Sequence, residues 1–210
     1  MTLKRNMTTA ALIAMLGLGT TAPAFAQSAM DTDGDGIPDT SEPLLGTDPE
    51  MADTDGDSQN DLEDTSPVMA DNPIVMTGGP APFELREAIV ENNYDPVAKA
   101  DATDHLELLV ASTGTTDLTG FSLYYTITDA DSGAQEGYFR KLDEFTVPAG
   151  GEARVHLDDA TLPGHFRANP NGIYTTSQAA KTFSVTLAAD GFAPVTVEIA
   201  KDAGGAEAAD

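Results

Sequence analysis

The segment from Asp31 to Glu42 places carboxylates at alternating positions around a tight, glycine-containing turn. Carboxylates occupy loop positions 1, 3, 5, 9 and 12, and position 6 is a glycine. Calcium takes about six to eight hard oxygen ligands, including a backbone carbonyl from position 7, and glycine permits the sharp turn that brings them together. The spacing therefore predicts a calcium site. Its predicted ligands are Asp31, Asp33, Asp35, Ile37, Asp39 and Glu42.

The same spacing recurs 22 residues later, from Asp53 to Asp64, which argues against a chance match. This second loop departs from the first at two positions, because Ser58 replaces the turn glycine and Asp64 replaces the closing glutamate. Aspartate reaches less far than glutamate, and serine must take a conformation that glycine adopts freely, so we expect weaker binding here. The predicted ligands are Asp53, Asp55, Asp57, Gln59 at position 7, Asp61 and Asp64.

The composition of residues 31–72 leaves one alternative open. This stretch holds eleven aspartates, three glutamates and no lysine or arginine, as a solvated acidic linker would. The fixed spacing favours metal loops instead. The connector between the loops contains Pro43, Gly46 and Pro49 and is too short for two successive helices. Paired EF-hands are therefore excluded, and dockerin-type repeats are disfavoured for the same reason.

The segment resembles the thrombospondin type 3 repeat in the cysteine-free form found in exported bacterial proteins. The resemblance rests on residues 31–39, on Leu45-Gly46-Thr47-Asp48-Pro49 in the connector and on residues 53–57. It is confined to residues 31–64 and does not extend to the rest of the chain. It implies extended, helix-poor loops wrapped around calcium ions, with Asp48 as a further ligand.

The first 26 residues have the order of a cleaved secretory signal. Lys4 and Arg5 precede a short apolar run, and Ala24-Phe25-Ala26 forms a small-x-small cleavage site. A buried N-terminal helix is the alternative, but this order of charged, apolar and small residues has no packing rationale. No later segment is long and apolar enough to span a membrane. We therefore expect a periplasmic or extracellular protein.

From residue 83 onward the hydrophobic pattern has a period of two. Phe121-Leu123-Tyr125-Ile127, for example, alternates with polar neighbours, and turn residues separate such rows. About seven short strands predict a mainly β chain in which an antiparallel immunoglobulin-like β-sandwich follows the calcium-binding repeat. The strands at 83–91 and 138–147 are the least certain, since the first also fits a helical turn. The predicted units are signal peptide 1–26, acidic repeat 27–72, linker 73–82, sandwich 83–201 and disordered tail 202–210.

Charge and composition exclude several classes of function. The 210 residues include 35 acidic and 10 basic ones, a net charge of −25, which excludes a protein that neutralises nucleic-acid phosphates. The absence of cysteine excludes disulfides, thiol catalysis and cysteine-ligated zinc. His105, His156 and His165 lack metal-ligand spacing, and no serine occupies a Gly-x-Ser-x-Gly elbow. The sequence therefore predicts a protein that is not an enzyme.

Four basic residues cluster between residues 138 and 167, namely Arg140, Lys141, Arg154 and Arg167. Scattered surface charge is the ordinary explanation of this cluster. The alternative is a docking surface for an acidic protein or glycan. The nearest carboxylate-rich candidate is the protein's own acidic repeat, in the same or a neighbouring molecule.

Three functions remain open at this point. The favoured one is an exported calcium-binding protein with a metal-stiffened repeat and a sandwich that serves as an interaction or binding module. The second is an exported enzyme with a site in the sandwich loops and purely structural calcium. The third is a calcium buffer without a partner, against which the presence of a whole sandwich argues.

Overall fold

The structure is a computed structural model that describes residues 30–91, 94–95, 100–101, 105–158 and 160–204. The predicted signal peptide, residues 1–26, lies outside these ranges, as do residues 205–210 of the predicted tail. Along the described chain, no helix has the length and apolar character needed to cross a membrane.

Short helices and strands of very different length make up the described residues. In chain order they are α1 (Glu42–Leu45), β1 (Phe83–Glu91), β2 (Tyr94–Asp95), β3 (Ala100–Asp101), β4 (His105–Ser112), β5 (Phe121–Asp129), β6 (Gln135–Leu142), β7 (Glu152–Asp158), β8 (His165–Arg167), α2 (Ile173–Thr176), β9 (Lys181–Ala189) and β10 (Val195–Lys201).

Eight of these strands form two four-stranded sheets. The first sheet has the strand order β1-β4-β7-β8 and the second has the order β10-β9-β5-β6, while β2 and β3 pair separately. Neighbouring strands in the two sheets are antiparallel except β7 and β8, which are parallel. This architecture confirms the mainly β fold that the sequence predicts as an immunoglobulin-like sandwich.

The apolar core lies between the two sheets because each strand turns alternate side chains toward the same face. Along β5 every second residue is buried. Leu108 and Val110 from the first sheet and Leu123 and Leu187 from the second are completely buried in this core. Each fully buried aliphatic side chain contributes about 1.5–3 kcal/mol to folding. None of the residues of this core cluster belongs to residues 31–72, which we call the acidic segment. The core of the sandwich therefore forms without side chains from that segment.

Strand β1 departs from strict alternation. Its pairing with β4 shifts register between Leu85 and Glu87, as happens where a β-bulge inserts one extra residue. Leu85 and Ala88, three positions apart, consequently both pack against the core. The bulge explains why the sequence of this stretch fits a helical turn as well as a strand.

Two strands of the four-stranded sheets differ from the prediction, and the two-residue strands β2 and β3 were not predicted. The strand predicted at 138–147 is β6, which ends at Leu142, and the chain then turns at Glu144 with a positive φ of 63°. Strand β8, which has only three residues, was not predicted because it is too short to show an alternating pattern.

The acidic segment lies along β6, which is the edge strand of the second sheet. Met69 and Gly137 form a parallel bridge, in which the Gly137 N–H donates to the Val68 carbonyl and the Ala70 N–H donates to the Gly137 carbonyl, both at 2.9 Å. The Tyr124 hydroxyl donates to the Ala70 carbonyl at 3.0 Å. An open sheet edge exposes unpaired backbone groups, and the acidic segment covers part of this one.

Candidate metal centre and its contact with the sandwich

Each acidic loop is closed by the same clasp between positions 2 and 9. The backbone N–H and hydroxyl of Thr32 donate to the two carboxylate oxygens of Asp39 at 2.8 and 2.7 Å. Thr54 makes the same pair of bonds to Asp61, at 2.8 and 2.6 Å. These threonines were not among the predicted site residues, although threonine at position 2 of both loops is a visible signal. The repetition shows that the two loops share one local fold.

The aspartate at position 1 of each loop fixes the turn that follows it. Asp31 accepts a hydrogen bond from the Gly36 N–H at 3.3 Å, and Asp53 accepts one from the Ser58 N–H at 2.9 Å. Gly36 has a φ of 103° and Ser58 a φ of 78°, both in the left-handed region. Ser58 therefore adopts the conformation that the sequence analysis expected to be costly for a residue other than glycine.

Three of the four carboxylates at positions 3 and 5 keep one oxygen unbonded, whereas Asp57 accepts a hydrogen bond from Gln59 on each of its oxygens. One oxygen of Asp35 accepts the Ile37 N–H at 2.6 Å, and one oxygen of Asp55 accepts the Asp57 N–H at 3.0 Å. The second oxygen of each, like one oxygen of Asp33, is buried and has no hydrogen-bond partner among the described residues. A buried, unpaired carboxylate oxygen destabilises a protein unless a cation or a donor meets it.

Within the described residues, carboxylate oxygens approach one another in three groups of three, all within 4.8 Å inside a group. Two of these groups are the alternating aspartates of the two predicted loops. The third group joins the loops to each other and was not predicted from the spacing within either loop. The groups are Asp31, Asp33 and Asp35; Asp53, Asp55 and Asp57; and Asp35, Glu42 and Asp61.

Glu42 is the most unusual of these carboxylates. It is 0% exposed, and neither of its carboxylate oxygens has a hydrogen-bond partner among the described residues. Its backbone carbonyl accepts the Gly46 N–H at 2.8 Å, which closes α1. Burial, and then the negative charges of Asp33 and Asp35, raise the pKa of Glu42 to about 7. A carboxylate in such a position fits the coordination shell of a hard cation.

Burial perturbs other carboxylates of the segment in the same direction. It raises the pKa of Asp55 to about 7, with the charges of Asp57 and Asp64 adding to the effect. Burial also raises the pKa of Asp33 and of Asp61, in the second case against the lowering effect of the hydrogen bonds from Thr54. A cation among these groups would remove the mutual repulsion and restore their ionised form.

The remaining predicted ligands have local roles. The side chain of Ile37 is buried, whereas that of Gln59 is exposed and donates to Asp57 at 2.6 Å. Asp64 accepts the Ser66 N–H at 2.8 Å. Among the groups described above, neither Asp64 nor Asp39 takes part. The structure thus brings eight of the ten predicted carboxylates into these groups and leaves Asp39 and Asp64 outside them.

Two arginines of the sandwich hold the acidic segment. Arg167 binds the buried Asp48 through two hydrogen bonds, from Nε at 2.6 Å and from Nη2 at 2.7 Å, and contacts Glu50 at 3.0 Å. Arg140, which is buried on β6, donates from Nη2 to the Thr54 carbonyl at 2.8 Å. Asp48, which the thrombospondin resemblance implied as a metal ligand, is therefore bound by a guanidinium in this structure.

Two asparagines and the backbone of β6 complete this contact. Asn169 donates to the Gly46 carbonyl and Asn171 donates to the Thr47 carbonyl, each at 2.6 Å. The backbone N–H of Phe139 donates to the Asp55 carbonyl at 2.7 Å. The sandwich therefore binds backbone carbonyls of both the connector and the second loop. No local sequence pattern predicts that Asn169 and Asn171 bind the connector, because they are 123 and 124 residues from their partners along the chain.

The predicted basic cluster is divided between two surfaces. Arg140 and Arg167 face the acidic segment of the same molecule. Arg154 pairs with Glu87 at 2.9 Å and with Glu107, both on the first sheet, while Lys141 is exposed on β6. Docking of an external acidic protein or glycan at these residues stays a prediction.

A second cluster of titratable groups lies on the first sheet. The rings of His156 and His165 stack with their centroids 4.3 Å apart, and each ring has a carboxylate beside Nδ1, Glu107 at 3.5 Å and Asp158 at 2.5 Å. His165 also lines a cleft of about 460 Å³, together with Arg154 and Glu144. In the described part of the chain, these histidines belong to no group of three metal-ligating side chains.

No family model and no curated protein matches the chain. Solved structures that match it include the Pseudomonas fluorescens alkylpurine DNA glycosylase AlkC bound to DNA containing an abasic site analog. The two chains are 18% identical, and the match has a TM-score of 0.30. It covers 59% of this chain and 31% of the glycosylase.

The prediction that the protein is not an enzyme is contradicted by this comparison and is not retained. The protein matched is an enzyme, a DNA glycosylase. The low identity and TM-score transfer no reaction, substrate or site residue from the glycosylase to this chain.

Proposed function

We propose that the protein is exported to the periplasm or the medium and that its acidic segment binds calcium there. Bound calcium stiffens this segment against the edge of a β-sandwich, which serves as a binding module. The observation that carries the proposal is the completely buried side chain of Glu42, which has no hydrogen-bond partner for either oxygen among the described residues and lies within 4.8 Å of carboxylate oxygens of Asp35 and Asp61. Export remains an expectation based on the signal-like first 26 residues.

The chemistry of the donors supports calcium over other cations. All three groups offer carboxylate oxygens, which are the ligands that hard cations prefer, and none includes histidine. Magnesium requires near-ideal octahedral geometry and keeps much of its water, whereas calcium accepts irregular shells with more protein oxygens. The resemblance to thrombospondin type 3 repeats is consistent with a segment in which α1 is a single helical turn.

Isothermal titration calorimetry on the metal-stripped protein tests the proposal. We expect calcium to bind the first loop with a dissociation constant of about 10⁻⁴ to 10⁻³ M, the range of extracellular modules, and the second loop more weakly. Magnesium should bind less well than calcium.

The decisive variant is Glu42→Gln, which preserves the shape of the side chain and removes its charge. We expect it to weaken the tightest site about tenfold or more, because calcium affinity depends on the number of charged ligands. The matched control is Glu63→Gln, since Glu63 is exposed in the same segment. Absence of calcium binding at millimolar concentration, or equal affinities in the two variants, would contradict the proposal.

A further inference from the structure

We infer that the sandwich is part of the second metal site. Strand β6 and Arg140 hold the backbone of residues 54–56 in its metal-binding shape, and metal binding in turn holds this loop on the sheet edge. The inference rests on the proposed function and adds to it a coupling between calcium binding and the stability of the sandwich.

Asp55 contacts both β6 and the carboxylate group of the second loop. Its backbone carbonyl accepts the Phe139 N–H of β6 at 2.7 Å. Its side chain belongs to the group formed with Asp53 and Asp57, is 1% exposed, and has one buried oxygen without a hydrogen-bond partner among the described residues. A metal ion at that group and the sheet edge would therefore fix the same residue, one through its side chain and the other through its backbone.

Thr54 links the same two partners through different atoms. Its carbonyl accepts a hydrogen bond from Arg140 at 2.8 Å. Its backbone N–H and hydroxyl donate to Asp61, which belongs to the carboxylate group shared by the two loops. Displacing this residue from Arg140 would disturb the clasp of the second loop and the shared group together.

Gly56 shows how closely the second loop approaches the sheet. A Cβ atom at this position would lie 2.0 Å from the Phe139 carbonyl oxygen, so no side chain fits there. The equivalent residue of the first loop, Gly34, has a similar φ, 79° against 85°, but nothing lies within 4 Å of its Cβ position. Only the second of these two equivalent positions rests on the sandwich.

The second loop is also the one that lacks the turn glycine. Ser58 occupies the left-handed region in its place, with a φ of 78°. A non-glycine residue in this region destabilises the loop by itself, and the contacts with β6 and Arg140 offset that cost. The two coupled events are calcium binding at the second loop and docking of that loop on the sandwich. Because such coupling is reciprocal, calcium must stabilise the docked state by the same free energy by which docking strengthens calcium binding.

Thermal unfolding followed by near-ultraviolet circular dichroism tests this coupling on the whole protein. Residues 31–72 contain no aromatic residue, and the five tyrosines all lie from Tyr94 onward, so the tyrosine signal comes from rings outside the acidic segment. Tyr124 bonds to Ala70, so the cooperative unfolding midpoint, and not the amplitude of the signal, is compared. We expect the sandwich to be folded without calcium and its unfolding midpoint to rise by several degrees in saturating calcium.

The matched pair of variants is Gly56→Ala and Gly34→Ala. Both place alanine in the left-handed region, but only Gly56→Ala forces the loop away from the Phe139 carbonyl. We expect Gly56→Ala to abolish most of the calcium-induced shift and Gly34→Ala to keep most of it.

A second pair tests the sandwich side of the contact by calorimetry. Arg140→Met should weaken calcium binding at the second loop about tenfold or more, which is the loss expected for one charge-assisted hydrogen bond. Lys141→Met removes the same charge from an exposed neighbour on β6 and should leave both affinities unchanged.

The outcomes separate this inference from the proposed function. If the wild-type protein binds calcium but Gly56→Ala keeps the full shift, or both glycine variants lose it equally, the coupling is overturned and calcium binding stands. If the wild-type protein binds no calcium at millimolar concentration, both are overturned. Gly56→Ala also keeps the test decisive should Arg140→Met fail to fold, because the substitution lies outside the sandwich core.

Discussion

Arg167 and Asp48, which are 119 residues apart in sequence, form a two-point ion pair that joins the sandwich to the acidic segment. Asp48 is completely buried, so Arg167 supplies the charge that this carboxylate requires. Arg167 belongs to β8, which is the three-residue strand that runs parallel to β7. A three-residue strand, none of whose residues is fully buried, thus positions the arginine that anchors the acidic segment.

Removing this anchor should destabilise the docked segment strongly. We expect Arg167→Met to cost about 3 kcal/mol of unfolding free energy, because it leaves the charge of Asp48 buried without a partner. The control is Arg154→Met, because the guanidinium of Arg154 is itself exposed in its pairs with Glu87 and the half-buried Glu107, and an exposed charge should be worth less than about 1 kcal/mol. Chemical denaturation measures both. In the double variant with Asp48→Asn the loss should be smaller than the sum of the single losses, and strict additivity would contradict a direct interaction.

Stability of the metal-free protein should depend on pH in an unusual direction. The pKa of Glu42 and that of Asp55 are raised to about 7 from ordinary values of 4.5 and 3.8. Between the ordinary pKa values and about 7, the folded protein holds protons on these carboxyls that the unfolded chain has released. The docked segment should therefore be most stable near pH 4–5 and lose stability as the pH rises to about 7. Hydrogen exchange of residues 31–72 in the presence of a chelator measures this trend. Increasing protection from pH 5 to pH 8 would contradict it.

Calcium binding should release protons near neutral pH. The carboxyls of Glu42 and Asp55 are partly protonated at pH 6–7 in the metal-free protein, because their pKa values are about 7. A cation requires their ionised form and displaces the protons. Calorimetric titrations in buffers of different ionisation enthalpy measure the number released. The number should fall toward zero above pH 8, and a release that does not change with pH would exclude these two groups as its source.

Restoring glycine to the second loop should strengthen its calcium binding. Ser58 is exposed and has a φ of 78°, so Ser58→Gly removes backbone strain without removing a buried contact. We expect a gain of about 1 kcal/mol, or roughly fivefold in affinity. Ser66→Gly is a suitable control because Ser66 is an exposed serine of the same segment without a positive φ. Calorimetry should show no gain for the control.

Chelation should make the acidic segment sensitive to proteolysis while the sandwich stays resistant. The segment contains few buried apolar side chains, whereas the sandwich has a core between two sheets. Residues 31–72 contain no lysine or arginine, so trypsin cannot cleave within them, and a protease that cleaves after acidic residues is the suitable probe. Cleavage throughout residues 83–200 at the same rate would show that the two units unfold together.

Local patterns in the sequence predicted much of this structure, and long-range contacts account for most of what they missed. The alternation in β5 predicts its buried and exposed faces directly, and the alternating aspartates predict the two carboxylate groups inside the loops. The group shared by Glu42 and Asp61 depends on how the two loops pack together, which no single loop encodes. The docking residues Arg140 and Arg167 are 86 and 119 residues from their partners, so no local pattern connects them.

The distance in sequence between Thr54 and Arg140 also determines the order of assembly. The acidic loops are synthesised well before β6, and they have no surface to dock on until β6 has paired with β5. Contacts between residues so far apart form late, because a large loop must close before they stabilise the chain. Any metal that the loops take up earlier is held without support from the sandwich. The docked form is therefore the last state reached, and the rate of forming it should follow the rate of sandwich folding rather than the rate of calcium uptake.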